Sequence, residues 1–341
     1  MTTPATNSGL RDNHARGIIG DEGTQLSNSI STGGGGHNFE NHVQAAFVVL
    51  MLSGGVVPCL PPWPVKEIKL QGRYAGYNTD DFIVITEERT GGRKAKLLAQ
   101  IKHSLNITAK DPTFSKVIGA AWRDFQDPEL FDPTHDSIAL ISGPLSAADI
   151  EHARPLLELA RTTANAQEFL NKVNLIRFTS DEKRDKLEAF KTQLKKANNG
   201  VDISDEQLWL FLRSYHILGY DLDIRSGVTL SLLHSHIGQF SIDNVPALWA
   251  SIANEIGYFN QNAGTITRYT LSEETRRIFS ERLRAEKMPE EFLPPKPPPL
   301  PADYVGGKEG DALMFASLLG GWNDKSDGDK SAISRLIEGN D

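Results

Sequence analysis

Two neighbouring apolar strands carry the charged residues that most restrict how this chain can fold. Residues 81–86 and 96–102 read as strands, and a Gly-Gly pair between them provides the turn. Residues two apart in a strand share a face, so Gln100 and Lys102 project from the same side of the second strand. A lysine in an internal, apolar strand needs a carboxylate partner. The pattern therefore predicts a cluster of polar side chains at one place on an otherwise apolar sheet.

The carboxylate partner is predicted from the acidic pair that opens the first strand. Asp80 and Asp81 must point to opposite faces, so only one of them can point where Gln100 and Lys102 point. Asp81 is favoured because it directly precedes the apolar run. We expect its carboxylate to lie within about 6 Å of the Lys102 ammonium, the range in which opposite charges shift each other's pKa.

A helix upstream adds a second acid. Apolar residues recur at helical spacing from Phe39 to Leu50, and Glu40 and Gln44, four residues apart, share one face of that helix. Both side chains are placed to reach the predicted cluster from the side. Taken alone, Glu40 would be read as a solvated acid in a first helical turn, and the Asp pair as a turn. Their order along the chain favours one common site.

The chemistry that fits this set is metal-dependent hydrolysis of a phosphodiester. Mg²⁺ or Mn²⁺ prefers oxygen ligands, and a metal lowers the pKa of bound water and stabilises phosphoryl charge. We predict Asp81, Glu40 and Gln100 as the metal ligands and Lys102 as the cation that stabilises the transition state. Together these four residues form the predicted catalytic set.

Other polar residues near the two strands are predicted to support this site. Three are expected to neighbour the metal ligands, and three are expected to contact DNA: respectively Asp80, Gln44 and His103, and Arg73, Tyr77 and Ser104. Arg73 and Tyr77 lie in a Gly-rich loop just before the acids, while His103 and Ser104 directly follow the lysine. The alternative interpretation is a surface loop and a strand end without function.

Composition restricts the protein class but not the reaction. The 341 residues are 39% hydrophobic and 23% charged, which is ordinary for a globular protein with about two domains. No apolar run approaches a membrane span, no secretory signal is visible, and the lone Cys59 suits a reducing cytoplasm. The net charge of -8 predicts DNA affinity that is weak and strongly dependent on salt.

The order of predicted elements indicates an α/β fold with a mixed sheet flanked by helices, followed by a mainly helical domain. Helices are expected over 204–217 and 243–261 among others, a short buried strand over 137–142, and a last strand over 174–178. The predicted segments are a disordered stretch at 1–36, a catalytic domain at 37–180, a helical domain at 181–286, a Pro-rich linker at 287–305, and the start of a further region at 306–341.

The stretches FENHVQAAFVVLMLSGG, LQGRYAGYNTDDFIVI and LLAQIKHS resemble a known nuclease domain. It is the PD-(D/E)xK effector, restriction-like and Cap-type or Mrr-like, at the N-terminus of bacterial STAND and NACHT anti-phage NTPases. The resemblance covers roughly residues 34–180, in the variant where Gln replaces the second acid. It implies a cytoplasmic, metal-dependent double-stranded DNA endonuclease that works as a homo-oligomer, a dimer or tetramer. The tail from Ala312 resembles the lead-in to a STAND NTPase region.

The sequence therefore predicts a Mg²⁺-dependent DNA endonuclease that serves anti-phage defence and is activated by oligomerisation. Two alternatives stay open at this point. In one, the fold is kept as an inactive module that binds DNA or a partner. In the other, the chain serves oligomerisation or signalling, and its function resides in the region beyond the tail.

Overall fold

One mixed β-sheet organises the part of the chain that the computed structural model describes, which is residues 34–175, 179–241 and 244–280. Within these ranges six strands form the sheet in the spatial order β5-β4-β3-β2-β1-β6. Their bounds are β1 Val65–Leu70, β2 Phe82–Glu87, β3 Lys94–Lys102, β4 Ser137–Ser142, β5 Tyr215–Gly219 and β6 Thr265–Ile266. The predicted mixed sheet flanked by helices is confirmed.

Helices cover both faces of this sheet. They are α1 Gly34–Ser53, α2 Pro112–Gln126, α3 Arg154–Arg161, α4 Ala166–Asn174, α5 Asp181–Ala197, α6 Asp205–Ser214, α7 Val228–Ile237, α8 Val245–Gln261 and α9 Glu273–Ile278. A short 3₁₀ turn, Gly72–Ala75, follows β1, and a π-helical turn, Asp149–Ala153, leads into α3.

Strand pairing changes direction at β3. The strands β1, β2 and β3 pair antiparallel, and β6 pairs antiparallel with the outer side of β1. The pairs β3–β4 and β4–β5 are parallel, so each needs a crossover, which helices supply. This places β3 inside the sheet, where its apolar residues are buried and its few polar ones require partners.

Alternation along β2 divides the apolar side chains between two cores. Phe82 and Val84 pack against α1, α7 and α8, while Ile83 and Ile85 pack against α2, α3, α5 and α6. All four side chains are nearly inaccessible to solvent. This explains why β2 reads as a continuous apolar run rather than as an alternating one. It also places the residue before the strand, Asp81, on the side of Ile83.

The prediction of a helix over 204–217 is wrong at its C-terminal end. Helix α6 ends at Ser214, and the next residues form β5, which pairs with β4. Tyr215 and Ile217 are buried in the core beneath α2 and α6. Apolar residues continue at helical spacing from α6 into β5, across Arg213 and Ser214, and this spacing concealed the boundary. Parallel pairing with the buried strand β4 makes these residues extended rather than helical.

The domain boundary predicted at residue 180 is not found in the described ranges. The described residues from 181 to 280 are mainly helical, as predicted, yet they supply β5 and β6 to the same sheet as the preceding strands, and they belong to the same compact unit as the described residues before them. The prediction of a strand over 174–178 is wrong at its first residue, because Asn174 is the last residue of α4. Residues 176–178 lie outside the described residues. The first 33 residues of the 1–36 segment, the 287–305 linker and 306–341 lie outside them as well.

Among the described residues, no helix has both the length and the apolar character needed to cross a membrane.

Candidate active site

The carboxylate of Asp81 is the centre of a polar cluster where β2 begins and the antiparallel β3 ends. Its Oδ2 accepts hydrogen bonds from Gln100 Nε2 at 2.6 Å and from the backbone N–H of Ile101. Lys102 Nζ lies 3.4 Å from the same oxygen, within the separation expected from the sequence. The structure therefore brings Asp81, Gln100 and Lys102 together on one face of the sheet.

The neighbouring aspartate occupies a different position. Asp80 forms an ion pair with Arg73, whose Nε lies 3.2 Å from its Oδ2. Its backbone N–H lies 3.4 Å from Gln100 Oε1, in weak hydrogen-bond geometry. Asp80 thus touches the side chain of Gln100 through its main chain, while its own carboxylate turns toward the loop after β1. Between the two acids, Asp81 is the one that faces Lys102.

Hydrogen bonds to Asp124 of α2 fix the loop that precedes the two acids. This fully buried carboxylate accepts hydrogen bonds from the Thr79 and Asn78 backbone N–H groups, both at 2.7 Å. The 3₁₀ turn packs against the same loop so closely that a Cβ on Gly72 would come within 2.2 Å of Thr79 O. A buried charge is stable only when its hydrogen bonds are satisfied, so Asp124 fixes this loop. The sequence analysis did not identify this role.

Glu40 of α1 approaches the cluster from the opposite helical layer. Its Oε1 accepts hydrogen bonds from Asn260 Nδ2 of α8 at 3.0 Å and from Gln44 Nε2 at 3.1 Å. Gln44 is completely buried and orients Glu40 rather than facing a ligand. Asn260, which is 6% exposed, was not predicted, because no local pattern links residues 220 positions apart.

The environment raises the pKa of Asp81 to about 6. Burial is the largest cause, since it penalises the charged form, and the nearby Glu40 carboxylate adds to the shift. The Lys102 ammonium and the hydrogen bonds from Ile101 and Gln100 oppose it. Glu40 is therefore close enough to act on Asp81 electrostatically, although it is not among the residues that line the open cavity beside Asp81. A cation held by these carboxylates would offset both the cost of burying the Asp81 charge and its repulsion by Glu40.

Lys102 keeps part of its bonding capacity for a ligand. Its ammonium contacts Asp81 and donates to the Ile101 carbonyl at 2.7 Å, which leaves one of three N–H donors available. The side chain is 34% exposed. An anion that enters the cavity can therefore contact Lys102 without displacing Asp81.

The cavity beside the cluster has a volume of about 480 Å³ and a strongly cationic wall. Its charged and polar lining consists of Arg73, Asn78, Asp80, Asp81, Gln100, Lys102, Ser115, Lys116, Arg123 and Lys196. Five of these residues are cations and two are acids. A cleft lined by one sign of charge concentrates ligands of the opposite sign. This cleft therefore suits a polyanion although the chain as a whole carries a net charge of -8.

Three of the five cations were missed by the sequence analysis. Lys116 and Arg123 lie seven residues apart on α2, hence on one face of the helix, with the small residues Gly119 and Ala120 between them. Lys196 lies in the last turn of α5. The signal for the α2 pair was present in the sequence as two cations separated by small residues, which leaves the helix surface open between them.

Three predicted supporting residues lie elsewhere. His103 points to the other face of the sheet, where Nε2 lies 3.0 Å from Asp223 Oδ2 and its ring packs edge-on against Phe39. Strand alternation explains this, because His103 has the parity of Ile101. Tyr77 is half-buried against the core, and Ser104 is exposed; neither lines the cavity. The assignments of His103 as a neighbour of the metal ligands and of Tyr77 and Ser104 as DNA contacts are therefore not supported. Arg73 does line the cavity.

The donor set at this site fits a hard divalent cation. Asp81 Oδ1 and Glu40 Oε2 accept no hydrogen bond from the described residues, so each carboxylate keeps one oxygen for a ligand. Mg²⁺ is commonly held by one or two carboxylates and several waters. Within the described ranges no group of three or more His, Cys, Asp or Glu side chains is arranged to hold a metal. The set is thus limited to two carboxylates and the Gln100 amide.

Comparison with known proteins does not place the chain in a family. No protein-family model matches it, and no curated protein matches it. Among solved structures, it is similar to the Acinetobacter baumannii Cap4 SAVED/CARF-domain containing receptor with the cyclic trinucleotide 3'3'3'-cAAA, at 13% identity and a TM-score of 0.37. The match covers 72% of this chain and spans about half, 49%, of that receptor. A likeness at this level carries no argument about fold or function.

Proposed function

We propose that this chain is a Mg²⁺-dependent double-stranded DNA endonuclease. The observation that carries the proposal is the contact of one buried carboxylate, Asp81, with both Gln100 and Lys102 on the adjacent strand. An acid, an amide and a lysine that converge in a cationic cleft suit metal-dependent hydrolysis of a phosphodiester.

Each residue of the cluster has its own role in the proposed reaction. Asp81, Glu40 and Gln100 would hold Mg²⁺ or Mn²⁺, which supplies a water of lowered pKa and charge stabilisation when bound. Lys102 donates its available N–H to a phosphoryl oxygen and stabilises the charge that grows there in the transition state. Gln100 keeps Asp81 oriented through its amide.

The cationic wall of the cleft supports DNA as the substrate. Lys116, Arg123, Lys196 and Arg73 surround the cluster without a carboxylate partner in the cavity other than Asp80. Lysine and arginine side chains bind backbone phosphates regardless of sequence, and such contacts position the duplex. The lining offers four cationic side chains for phosphates that flank the scissile one.

The biological setting rests on the sequence resemblance alone. The motif residues resemble those of nuclease effectors of bacterial anti-phage NTPases, so we propose a role in antiviral defence in the cytoplasm. One cleft cuts one strand at a time, and a double-strand break needs two clefts, most simply in a symmetric homo-oligomer. A STAND NTPase region that follows residue 341 in a longer protein would control this assembly.

A second candidate is an inactive module that binds DNA through the same cleft. The absence of a third carboxylate from the described metal-site residues favours it. The two candidates differ in one respect: only the nuclease requires a divalent cation for its effect on DNA.

The deciding experiment incubates supercoiled plasmid with the full chain in Mg²⁺ and in EDTA. We expect nicked and linear products only with the metal. Asp81→Ala and Lys102→Ala should abolish cleavage. The melting temperature of Asp81→Ala should stay nearly unchanged or rise, because removal of this carboxylate relieves the cost of burying it beside Glu40 and offsets the lost contacts. Lys94→Ala, an exposed lysine at the start of the same strand, is the matched control and should cut normally.

Equal cleavage by the wild type and both variants would refute the mechanism. Binding of the plasmid without cleavage, at the same affinity in Mg²⁺ and in EDTA, would favour the inactive module.

A further inference from the structure

The helices α1 and α8 enclose a second cavity, of about 510 Å³, that is separate from the cationic cleft and has a different chemical character. Four carboxamides line it: Asn38, Asn41, Asn254 and Gln261. No Asp, Glu, Lys or Arg of the described chain is in the lining, which distinguishes this groove from the cleft beside Asp81. We call it the amide groove.

The carboxamides of the amide groove are available for a ligand. Asn41 accepts one hydrogen bond, from Asn260 Nδ2 at 3.2 Å, and its own NH₂ group makes none within the described residues. Within the same ranges, the side chains of Asn38, Asn254 and Gln261 take part in no hydrogen bond. A carboxamide presents two donors and an acceptor side by side. Four of them, with no fixed charge nearby, favour an uncharged ligand with alternating donors and acceptors.

Aromatic and imidazole groups complete the lining. Tyr258 is 70% exposed although its ring borders the groove, so a flat face is open for stacking. His42 hydrogen-bonds to the Leu222 backbone, and its buried Nδ1 has no hydrogen-bond partner in the described structure.

The floor of the groove depends on a small residue. A Cβ on Gly257 would come within 2.9 Å of Asn41 Nδ2, so this glycine lets the asparagine of α1 lie directly against α8. Ala250 and Ala253 are further small residues of α8 in the lining. The lining therefore combines small residues, carboxamides and one tyrosine ring, which suits a planar heterocycle.

We propose that the amide groove binds a nucleobase. Asn and Gln amides form bidentate hydrogen bonds with the edge of a base, adenine in particular, and tyrosine stacks on the base face. The volume lies in the range of small-molecule sites. The absence of cations from the lining means that the base, and not a phosphate, is the part that is recognised. The base can belong to a free nucleotide or to a nucleic-acid strand.

Titration calorimetry on the full chain, in EDTA, tests this without reference to cleavage. Adenosine, guanosine, cytidine and thymidine serve as probes, and we expect at least one of them to bind saturably. Tyr258→Ala should weaken that binding at least about fivefold, because stacking of one base on an aromatic ring supplies a difference of that size. Tyr269→Ala is the matched control: this tyrosine is 86% exposed and lies outside the groove.

Salt dependence and a second variant locate the binding. The dissociation constant of the nucleoside should change less than about twofold between 50 and 300 mM NaCl, because the lining of the groove carries no charge. Binding in the cationic cleft would instead weaken steeply with salt. Asn254→Leu should weaken binding as Tyr258→Ala does. A single-stranded hexanucleotide that binds at least about tenfold tighter than its nucleoside, and loses that gain in Tyr258→Ala, assigns the groove to a strand. A hexanucleotide whose affinity does not depend on Tyr258 assigns the groove to a free nucleotide.

Three results would overturn the proposal: no saturable binding of any nucleoside, wild-type affinity in both groove variants, or a steep loss of binding with salt. None of these results bears on whether the cleft at Asp81 cleaves DNA, so the two proposals fail separately.

Discussion

Asn260 donates a hydrogen bond to Glu40 Oε1 at 3.0 Å, although 220 positions separate the two residues. The same asparagine also donates to Asn41 Oδ1, and the backbone carbonyl of Asn260 accepts from Gln71 Nε2 at 2.5 Å. Helix α8 therefore holds the acid that α1 brings to the site. The late part of the chain contributes to the candidate active site without adding a ligand to it.

We expect Asn260→Ala to raise the Mg²⁺ concentration for half-maximal cleavage by about tenfold, because groups that orient metal ligands have effects of this size. The rate at saturating Mg²⁺ should change less. Cleavage titrated against Mg²⁺ measures both quantities, and Asn262→Ala, an exposed asparagine at the end of the same helix, is the control. An unchanged Mg²⁺ requirement in Asn260→Ala would show that Glu40 needs no such support.

The raised pKa of Asp81 predicts a pH-dependent stability. A carboxyl with a pKa of about 6 in the folded protein and 3.8 as its ordinary value keeps its proton more readily when folded. Its stabilising effect is complete below about pH 3.8 and is lost as pH rises through about 6. In EDTA, Asp81→Asn should therefore melt above the wild type at pH 8 and close to it at pH 4.

Thermal melts over this pH range check the sign. A difference between Asp81→Asn and the wild type that stays constant from pH 4 to pH 8 would show that the carboxyl does not titrate within that interval. A variant that melts lower at pH 8 would show that its hydrogen bonds outweigh the cost of burying its charge.

Asp124→Asn should destabilise the protein and impair cleavage together. The amide that replaces one carboxylate oxygen cannot accept from the Thr79 N–H, so a buried donor loses its partner. Loss of a hydrogen bond to a charged group costs about 1.5–3 kcal/mol of unfolding free energy. Urea denaturation measures this cost. Asp127→Asn, which loses at most one exposed hydrogen bond to Glu129 N, should stay within about 0.5 kcal/mol of the wild type.

The cationic face of α2 predicts a change in the salt dependence of DNA binding. Lys116→Ala and Arg123→Ala each remove one phosphate contact, so each should reduce the slope of log affinity against log salt by about one. Asp81→Asn prevents cleavage during these measurements in all proteins compared. Lys110→Ala, an exposed lysine that does not line the cleft, should keep the wild-type slope. Wild-type slopes in both α2 variants would place the DNA on another surface.

Assembly is predicted to control the rate of cleavage. The isolated chain should cut slowly, and fusion of a tetramerising coiled coil beyond residue 341 should raise the rate per protomer steeply, because a double-strand break needs two clefts. Rates measured over a range of protein concentrations distinguish the cases. A rate per protomer that is constant with concentration and unaffected by the fusion would show that assembly is not the switch.

The parts of the site that were predictable follow from local geometry. Strand period placed Gln100 and Lys102 on one face and selected Asp81, and the structure has this arrangement. The same rule, applied one residue further, would have excluded His103. Asn260 could not be found in this way, since only the packing of α8 on α1 brings it to Glu40.

The fold shows the same division between local and long-range information. Strand β4 was predicted with its observed bounds because Ser137–Ser142 is a short apolar run that is buried on both faces. Strand β5 was not, because its residues continue the helical spacing of α6 and only the parallel pairing with β4 makes them extended. Local pattern specifies elements whose neighbours are close in sequence, and it fails where a distant strand decides the conformation.

Both outer strands of the sheet, β5 and β6, come from residues beyond 214. A ribosome must therefore translate past residue 219 before β4 has both neighbours in place, and past residue 266 before β1 has both. A nascent chain that stops near residue 180 leaves the unpaired N–H and C=O groups of two strands open to other chains. It also lacks the helix that orients Glu40. During synthesis, the candidate site would be completed only after nearly the whole described chain has emerged, so the proposed cleavage of DNA could not begin on the ribosome before that point.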